Sequence, residues 1–256
     1  MMRGAGPQTL LAPLAGWSAP LDEVPDEVFA GRILGDGVAI DPTSATLCAP
    51  CDGEVIVIAA ARHAVTLRTA QGCEVLLHVG IDSVGLAGQG FELRTRQGAQ
   101  ARAGEPLLSF DLDLLARRAR SVITPVIVGA DGGFRIVRRR SGCEVAVGDF
   151  LLELAPAAAE VSAPAAAEGA TTVRRFKVGF KHGIYTRPAA LLAASIRTLA
   201  ADVSIAAHGR EANARSIVAL IALGVESGEE IEIRARGPDA AAAVQALAAA
   251  LSVAPS

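Results

Sequence analysis

The chain has 256 residues, of which 51% are hydrophobic and 4% aromatic, and its formal net charge is −3 at pH 7. This length allows two ordinary domains, and the near-neutral charge argues against a surface that binds nucleic acid. No apolar run approaches the ~18 residues of a membrane-spanning helix, and the N-terminal residues are too weakly apolar for a signal peptide, so we expect a cytoplasmic protein.

The first 154 residues predict an all-β domain, either a barrel or a sandwich. Short runs rich in Val, Ile and Leu alternate with turns that contain Gly, Pro and Asp, as in folds built from many short strands. Only residues 111–121, DLDLLARRARS, show helical spacing. The predicted strands are DGVAID at 36–41, GEVIVIA at 53–59, HAVTLRT at 63–69, CEVLLHVG at 73–80, EPLLSFD at 105–111, VITPVIVG at 122–129, FRIVRRR at 134–140 and DFLLELA at 149–155.

Two cysteines, Cys48 and Cys51, form a C-x-x-C motif, which occurs both in zinc sites and in redox pairs. No second pair follows in the sequence, and Pro50 and Gly53 place the motif in a turn. We therefore favour the simpler interpretation, which is reduced thiols in a β-turn.

A segment of low complexity divides the chain. Residues 155–170, APAAAEVSAPAAAEGA, consist mainly of Ala, Pro and Glu and have no periodic apolar face. This composition is typical of a linker. We therefore predict one domain over residues 1–154 and a second over residues 171–256.

The second domain predicts a small α+β open-faced sandwich. Its strands and helices follow in the order β-α-β-(β)-α-β-α, with Pro188 in the first turn of the first helix and Gly224 closing the second. The predicted elements are strand 173–180, helix 187–200, strand 202–208, helix 214–224, strand 229–236 and helix 238–251.

Several long motifs in the first domain carry a family resemblance that covers residues 10–154. Three of them are VPDEVFAGRILGDGVAIDPTS at 24–44, RHAVTL at 62–67 and EVLLHVGIDSVGLAGQGF at 74–91. Together they resemble the glucose-type IIA component of the bacterial phosphoenolpyruvate:sugar phosphotransferase system. The resemblance implies a phosphoryl carrier that needs no cofactor.

The resemblance also implies that His78 carries the phosphoryl group and that His63 lies beside it. This chemistry needs one neutral imidazole nitrogen as nucleophile, while the other ring N–H is held in place. Two histidines on adjacent antiparallel strands can divide the work, one as nucleophile and the other as a hydrogen-bond donor to the phosphoryl oxygens.

Other residues in these runs match positions near the family's site. Asp26 and Asp82 match acidic positions that tune the charge around a phosphohistidine, although a turn-forming role explains Asp26 equally well. Phe29, Ile33 and Leu34 resemble an exposed apolar surface on which a transient partner docks.

The residues alone leave other interpretations open. A histidine in an apolar β-run is often a satisfied core residue. Biotinyl and lipoyl domains share similar strand patterns but need a modifiable lysine, and the first lysine is Lys177. Zinc peptidases of the lysostaphin type need a His-x-His, which His78 does not form. Two histidines hold zinc weakly unless a partner adds a carboxylate, so we expect no metal.

Residues 173–252 resemble the phosphocarrier protein HPr through the runs HGIYTRPAALLAASI at 182–196 and GREANARSIVALIALGVESGEEIEI at 209–233. The family's active-site histidine begins a helix, where backbone N–H groups and a following arginine stabilise phosphate. Here Tyr185 stands in its place, followed by Arg187. A phenol, with its ordinary pKa of ~10, is a poor phosphoryl acceptor at neutral pH.

Two further residues near this motif are candidates for a role. His182 lies three positions before Tyr185 and is a weak candidate for a substitute acceptor. Ser216 matches a serine that some HPr proteins use for regulatory phosphorylation, but it also suits a helix N-cap, and we favour the cap.

These predictions lead to one functional expectation and one alternative. We expect a phosphotransferase component that takes a phosphoryl group on His78 from phospho-HPr, supplied by enzyme I, and passes it to the IIB domain of a sugar permease. The membrane is involved only through that permease. The alternative is a non-catalytic regulator that binds partners according to phosphorylation state. The sequence does not identify the sugar or say whether an enzyme I domain follows Ser256.

Overall fold

The structure is a computed structural model, and it describes residues 7–129, 133–157 and 171–252. The chain divides into two compact units, Met1–Glu160 and Val161–Ser256. No helix among these described residues is long and apolar enough to cross a membrane.

The predicted linker, residues 155–170, falls mostly outside the described residues, which leave out 158–170. Its first two residues belong to the strand Phe150–Pro156, so the last strand of the first unit extends slightly into the predicted linker. The boundaries of the linker and of both domains therefore stay predictions.

The first unit is built almost entirely from short strands. The α-helices among its described residues are α1, Glu27–Ala30, and α2, Leu112–Arg118. The strands are β1 Gln8–Leu11, β2 Gly16–Pro20, β3 Gly35–Pro42, β4 Thr46–Cys48, β5 Gly53–Ile58, β6 Ala64–Arg68, β7 Glu74–His78, β8 Phe91–Leu93, β9 Gln100–Ala101, β10 Pro106–Phe110, β11 Thr124–Gly129, β12 Phe134–Arg139, β13 Cys143–Val145 and β14 Phe150–Pro156.

These strands form antiparallel sheets that pack as a β-sandwich, which confirms the sandwich rather than the barrel of the sequence prediction. The largest sheet has the order β13-β2-β3-β11-β7-β6-β5-β9, and within the described residues it ends at β13 and β9 without closing. Two three-stranded sheets, β1-β14-β12 and β4-β10-β8, complete the unit. One continuous apolar core joins the sheets and includes Leu10, Val38, Leu67, Leu77, Val126, Leu108 and Leu152.

Strands β6 and β7 are buried on both faces of the largest sheet. Consecutive residues of both strands are buried, whereas a half-exposed strand would alternate buried and exposed residues. This is the pattern of a strand covered on both faces. The pair is in register from Arg68 opposite Glu74 to Ala64 opposite His78. The last residue of β7, His78, is thus delivered to the end of a rigid, buried strand pair.

The second unit is an open-faced sandwich with the predicted order of elements. Its sheet has the antiparallel order β15-β18-β16-β17, and helices α3, α4 and α5 pack with it around a second apolar core. The elements are β15 Thr171–Lys177, α3 Thr186–Ser195, β16 Asp202–Ala207, β17 Arg210–Asn213, α4 Ile217–Ala222, β18 Glu230–Arg236 and α5 Ala240–Ser252.

Strand β18 shows why this sheet is covered on one face only. Ile231 and Ile233 are buried, whereas Glu232 and Arg234 alternate with them and form an ion pair at 2.7 Å on the other face. Strict alternation of apolar and charged residues is typical of a half-solvated antiparallel sheet.

The structure differs from the sequence prediction mainly where elements are short or are ended by distant contacts. Strands β1, β2, β4, β8, β9 and β13 and helix α1 were not predicted, since they have two to five residues and no periodic signal. Helix α3 ends at Ser195 rather than at Ala200. The guanidinium of Arg215 donates to the carbonyls of Ile196 and Leu199, at 2.8 and 2.6 Å, and so holds this stretch in a non-helical path.

Candidate functional site

The two predicted histidines of the first unit meet. His78 ends β7, and His63 is the last residue of the turn that leads into β6, directly after Arg62 in a left-handed conformation (φ 58°). The N–H of Val79 donates to the carbonyl of His63 at 2.8 Å, which ties the turn to the end of β7. The ring centroids lie 4.8 Å apart with planes inclined at 77°. The structure therefore places both rings in one site.

A backbone carbonyl determines the tautomer of His78. Its Nδ1 lies 2.8 Å from the carbonyl oxygen of Gly80. A carbonyl can only accept a hydrogen bond, so in the neutral ring Nδ1 carries the hydrogen and Nε2 carries the lone pair. His78 is 5% exposed, so only a small part of the ring reaches the surface.

Gly80 holds this carbonyl through a conformation that favours glycine. Its φ is +70°, and a Cβ at this position would lie 3.1 Å from both the Leu115 side chain and the Ser121 carbonyl. The Ser83 hydroxyl fixes the same bend by donating to the carbonyl of Val79 at 2.6 Å. We did not identify Gly80 as a site residue from the sequence, although a glycine two positions after the histidine was the available signal.

His63 is a buried histidine whose ring makes no well-formed hydrogen bond within the part of the chain that the structure describes. It is 1% exposed, and neither ring nitrogen has a hydrogen-bond partner of acceptable geometry among the described residues. Burial and, second, the neighbouring His78 lower its pKa well below the ordinary value, while the nearby Ala61 carbonyl acts weakly in the opposite direction. His63 is therefore neutral at pH 7 and has one N–H to offer to a group bound at His78.

Asp26 acts on the site through a helix cap. Its Oδ1 accepts hydrogen bonds from the N–H groups of Val28, at 2.9 Å, and Phe29, at 3.4 Å, and so starts α1. This cap directs the Phe29 ring onto His78, with centroids 5.1 Å apart and an edge-to-face angle of 63°. Asp26 is thus linked to His78 through Phe29, whose N–H donates to it and whose ring contacts the histidine.

The prediction of an exposed apolar docking surface is wrong for two of its three residues. Phe29 and Leu34 are each 4% exposed, and Ile33 is half-buried. The capped turn folds these side chains inward, and Phe29 serves as a wall of the histidine site instead of a free surface patch.

Asp82 lies on the loop that follows Gly80. It is exposed, adopts a left-handed conformation (φ 58°) and begins the short 3₁₀ turn Ser83–Leu86. Its backbone carbonyl accepts a hydrogen bond from Gly85 at 3.2 Å. The structure therefore places this carboxylate at the surface close in sequence to the carbonyl that holds His78.

The cysteines lie outside this site. Cys48, Cys51 and Cys73 are buried free thiols. Burial raises the pKa of Cys51 and of Cys73 to about 12, with smaller contributions from Asp52 for Cys51 and from Cys51 and Glu74 for Cys73, so both thiols are protonated at pH 7. Within the part of the chain that the structure describes, no group of three or more His, Cys, Asp and Glu side chains is arranged to hold a metal ion.

In the second unit, helix α3 begins directly after Tyr185. Tyr185 is the N-cap of α3, and its carbonyl accepts a hydrogen bond from Ala189 at 2.9 Å. Arg187 is half-buried in the first turn. The exposed His182 ring lies 6.3 Å from the Tyr185 ring, inclined at 72°. The structure thus places Tyr185 at a helix N-terminus, with Arg187 as the second residue of the helix.

Ser216 is the N-cap of α4. Its Oγ accepts a hydrogen bond from the N–H of Ala219 at 3.2 Å. This contact satisfies one of the helix's unpaired N–H groups, which is the role that we favoured from the sequence.

Comparison with known proteins agrees with the geometry of both units. Residues 8–132 match the family described as phosphoenolpyruvate-dependent sugar phosphotransferase system, EIIA 1, and residues 172–252 match the PTS HPr component phosphorylation site family. The glucose-specific EIIA component of the PTS system of Bacillus cereus is 45% identical over 121 residues, which span 47% of this chain and 73% of that protein.

Two further comparisons show how this unit occurs elsewhere. The N-acetylglucosamine-specific EIICBA component of Escherichia coli is 45% identical over 118 residues, 46% of this chain but only 18% of that larger protein. The solved structure of glucose permease IIA from Mycoplasma capricolum is 38% identical and covers 58% of this chain and 96% of its own, with a TM-score of 0.56.

The buried, neutral His63 predicts a pH dependence of stability. Its pKa is lowered on folding, so below the ordinary value of 6.5 the unfolded chain binds a proton that the folded chain does not. The free energy of unfolding should therefore fall as the pH drops below 6.5, by at most about 1.4 kcal/mol per pH unit for this group. Urea unfolding followed by the fluorescence of Trp17, the chain's single tryptophan, reports on the first unit.

The substitution His63→Gln should remove this part of the pH dependence, because glutamine does not titrate. The matched control is His182→Gln, which removes an exposed histidine of the second unit and should leave the Trp17 transition unchanged. An identical pH dependence with and without His63 would contradict a depressed pKa.

The cap at Ser216 predicts a local effect on α4. Ser216→Ala should lower the opening free energy of the Ala219 amide by about 1 kcal/mol, or roughly fivefold in hydrogen-exchange rate, because the N–H loses its acceptor. Ser216→Asp keeps an acceptor and should exchange at nearly the original rate. Equal exchange in all three proteins would contradict a capping role.

Proposed function

The chain belongs to the family of glucose-type IIA components of the phosphoenolpyruvate-dependent sugar phosphotransferase system and continues into an HPr domain, and on that premise we propose that its first unit carries a phosphoryl group on His78. The observation that carries this proposal is the contact between His78 Nδ1 and the Gly80 carbonyl at 2.8 Å. It orients the ring before the reaction and puts the lone pair on Nε2.

The proposed reaction is a pair of phosphoryl transfers. The Nε2 lone pair of His78 forms a bond to phosphorus as the N–P bond of the donor phosphohistidine breaks, and the donor ring leaves with that electron pair. In the second transfer a nucleophile on a IIB domain, expected to be a cysteine thiolate, attacks the same phosphorus. His78 then leaves as a neutral imidazole, ready for the next cycle.

We assign His63 the role of binding the phosphoryl oxygens. It is neutral, nearly fully buried and 4.8 Å from the His78 ring, centroid to centroid. A neutral ring has one N–H, and in a buried site a single well-placed donor stabilises developing charge strongly. His63 has no partner among the described residues, so a phosphoryl group would supply the acceptor that it lacks.

Asp26, Phe29 and Asp82 complete the proposed site. Asp26 caps α1 and thereby sets the Phe29 ring against His78. Asp82 adds a negative charge at the surface of the same loop. A carboxylate near a phosphorylated histidine disfavours the dianionic product and favours onward transfer.

We propose that the second unit is an HPr domain without phosphoryl-carrier activity. A helix N-terminus with Arg187 suits a phosphate, but Tyr185 stands at the position of the accepting histidine. The phosphoryl group for His78 must then come from a separate HPr charged by enzyme I. This arrangement favours a second candidate role for residues 171–256, a regulatory module that binds enzyme I or permease partners without accepting phosphate.

The working division of the chain is residues 1–154 for the IIA domain, 155–170 for the linker and 171–256 for the HPr-like domain. We propose that the protein acts in the cytoplasm, where it would meet the IIB domain of its permease partner. Relatives of this IIA unit carry different sugar names, glucose for one and N-acetylglucosamine for another. We therefore propose that the IIB and IIC partner sets the sugar.

The proposal predicts different losses for the two histidines. With phosphoenolpyruvate, enzyme I and a separate intact HPr, His78→Gln should accept no acid-labile phosphate. His63→Gln should still become phosphorylated, but transfer to a purified IIB domain should slow by about 10²-fold or more, because one hydrogen bond to the transferring group is lost. Quenched-flow transfer of ³²P and mass mapping of the labelled peptide measure both steps.

The matched control is His208→Gln, which changes an exposed histidine of the second unit and should leave both transfers at the original rate. Full phosphorylation of the His78→Gln protein would exclude His78 as the acceptor. A His63→Gln protein that transfers as fast as the original would exclude a role for His63 in the reaction.

The Tyr185 position predicts a gain of function. The isolated second unit should take no phosphate from enzyme I, whereas Tyr185→His should accept it, because the helix start and Arg187 remain. Tyr185→Gln is the control for a change of size without a nucleophile. Phosphorylation of the unchanged unit would show that His182 or Tyr185 itself accepts, and failure of Tyr185→His would show that the unit lacks more than its nucleophile.

A further inference from the structure

The single tryptophan of the chain lies in an anionic row across three strands. Trp17 in β2 is directly opposite Glu144 in β13 on one side and Asp41 in β3 on the other. Residues in direct cross-strand register point to the same face of a sheet. Trp17 is 47% exposed, one of the few large apolar side chains that the described surface presents to solvent. An indole between two carboxylates therefore faces outward.

These three residues line a surface cleft of about 270 Å³ together with Thr43. The carboxylates of Asp41 and Glu144 make no hydrogen bond or ion pair with any of residues 7–129, 133–157 and 171–252. Arg140 is close to Glu144 in the chain, but its guanidinium donates to the Glu144 backbone carbonyl at 3.3 Å and pairs with Asp149 at 3.4 Å. The cleft is thus negative and its charges are not neutralised by the described residues.

We propose that this cleft binds an arginine side chain of a partner protein. The ring face of Trp is the best cation-binding surface among the aromatic residues, and a guanidinium stacks on it through both its charge and its plane. A carboxylate on each side supplies acceptors for the N–H groups that stacking leaves at the guanidinium edges. A cleft of this size holds one side chain and is too small for a folded element.

Position in the sheet makes the cleft accessible and separate from the histidine site. Among the described strands β13 is the end strand of the eight-stranded sheet, so in this part of the chain one edge of the row is open to an approaching partner. Strand β11 lies between β3 and β7, which carries His78. The arginine site is therefore a second contact area of the first unit, and it does not depend on the proposed phosphoryl transfer.

The test is a titration of the full-length protein with N-acetylarginine methylamide at constant ionic strength. The indole N–H of Trp17 gives the only signal of its kind, so its NMR shift reports on the cleft directly. We expect a saturable shift with an apparent dissociation constant on the order of 10 mM. The citrulline analogue, which has the same shape without charge, should give no saturable shift.

Three variants test whether the two carboxylates of the cleft bind the guanidinium. Asp41→Asn and Glu144→Gln keep size and should each weaken binding about threefold, whereas Glu92→Gln, an exposed carboxylate on another sheet, should not. Phosphate acceptance by His78 should stay unchanged in all three variants, which shows that they are folded.

A shift that does not saturate, an equal response to the citrulline analogue, or unchanged binding after Asp41→Asn and Glu144→Gln would overturn the proposal. Equal affinity for N-acetyllysine methylamide would overturn the choice of a planar guanidinium, because a lysine ammonium cannot stack on the ring.

Discussion

The hydrogen bond between His78 Nδ1 and the Gly80 carbonyl is the interaction on which the proposed chemistry depends. A histidine presents one basic nitrogen at a time, and a fixed acceptor decides which. The acceptor is a backbone atom two residues from the ring, held by the left-handed conformation of Gly80 and by the packing of that residue against Leu115. The tautomer is therefore built into the loop and does not depend on another titratable side chain.

Around this bond the fold supplies rigidity and a dry environment. The doubly buried strands β6 and β7 position His78, the capped helix α1 adds the Phe29 ring, and the nearly inaccessible His63 contacts the same ring. The second unit uses a different element at the corresponding position. It places Tyr185 at the start of a helix, where backbone N–H groups point outward. Under the proposed function, the first unit orients a nucleophile, and the second offers a helix N-terminus to an anion without one.

Much of this arrangement was predictable from sequence because it is encoded locally. The alternating and continuous apolar runs predicted the main strands. The meeting of His63 and His78 was expected only from the resemblance of their two runs to a known family, and the structure places their rings 4.8 Å apart. The burial of Phe29 was not predictable, since it follows from a hydrogen bond that Asp26 makes only in the folded turn. The early end of α3 was missed for the same reason, because Arg215 captures its following carbonyls from a distant loop. Contacts between elements, unlike periodicity within them, leave no mark in a single sequence.

The most direct test of this account is the tautomer of His78, measured by long-range ¹H–¹⁵N correlation NMR on the folded protein at a pH where the ring is neutral. If the Gly80 carbonyl fixes the ring, Nδ1 is protonated and Nε2 is unprotonated before phosphorylation, and a phosphorus–nitrogen coupling to Nε2 appears afterwards. A ring protonated on Nε2, an equal mixture of the two tautomers, or phosphate attached to Nδ1 would contradict it.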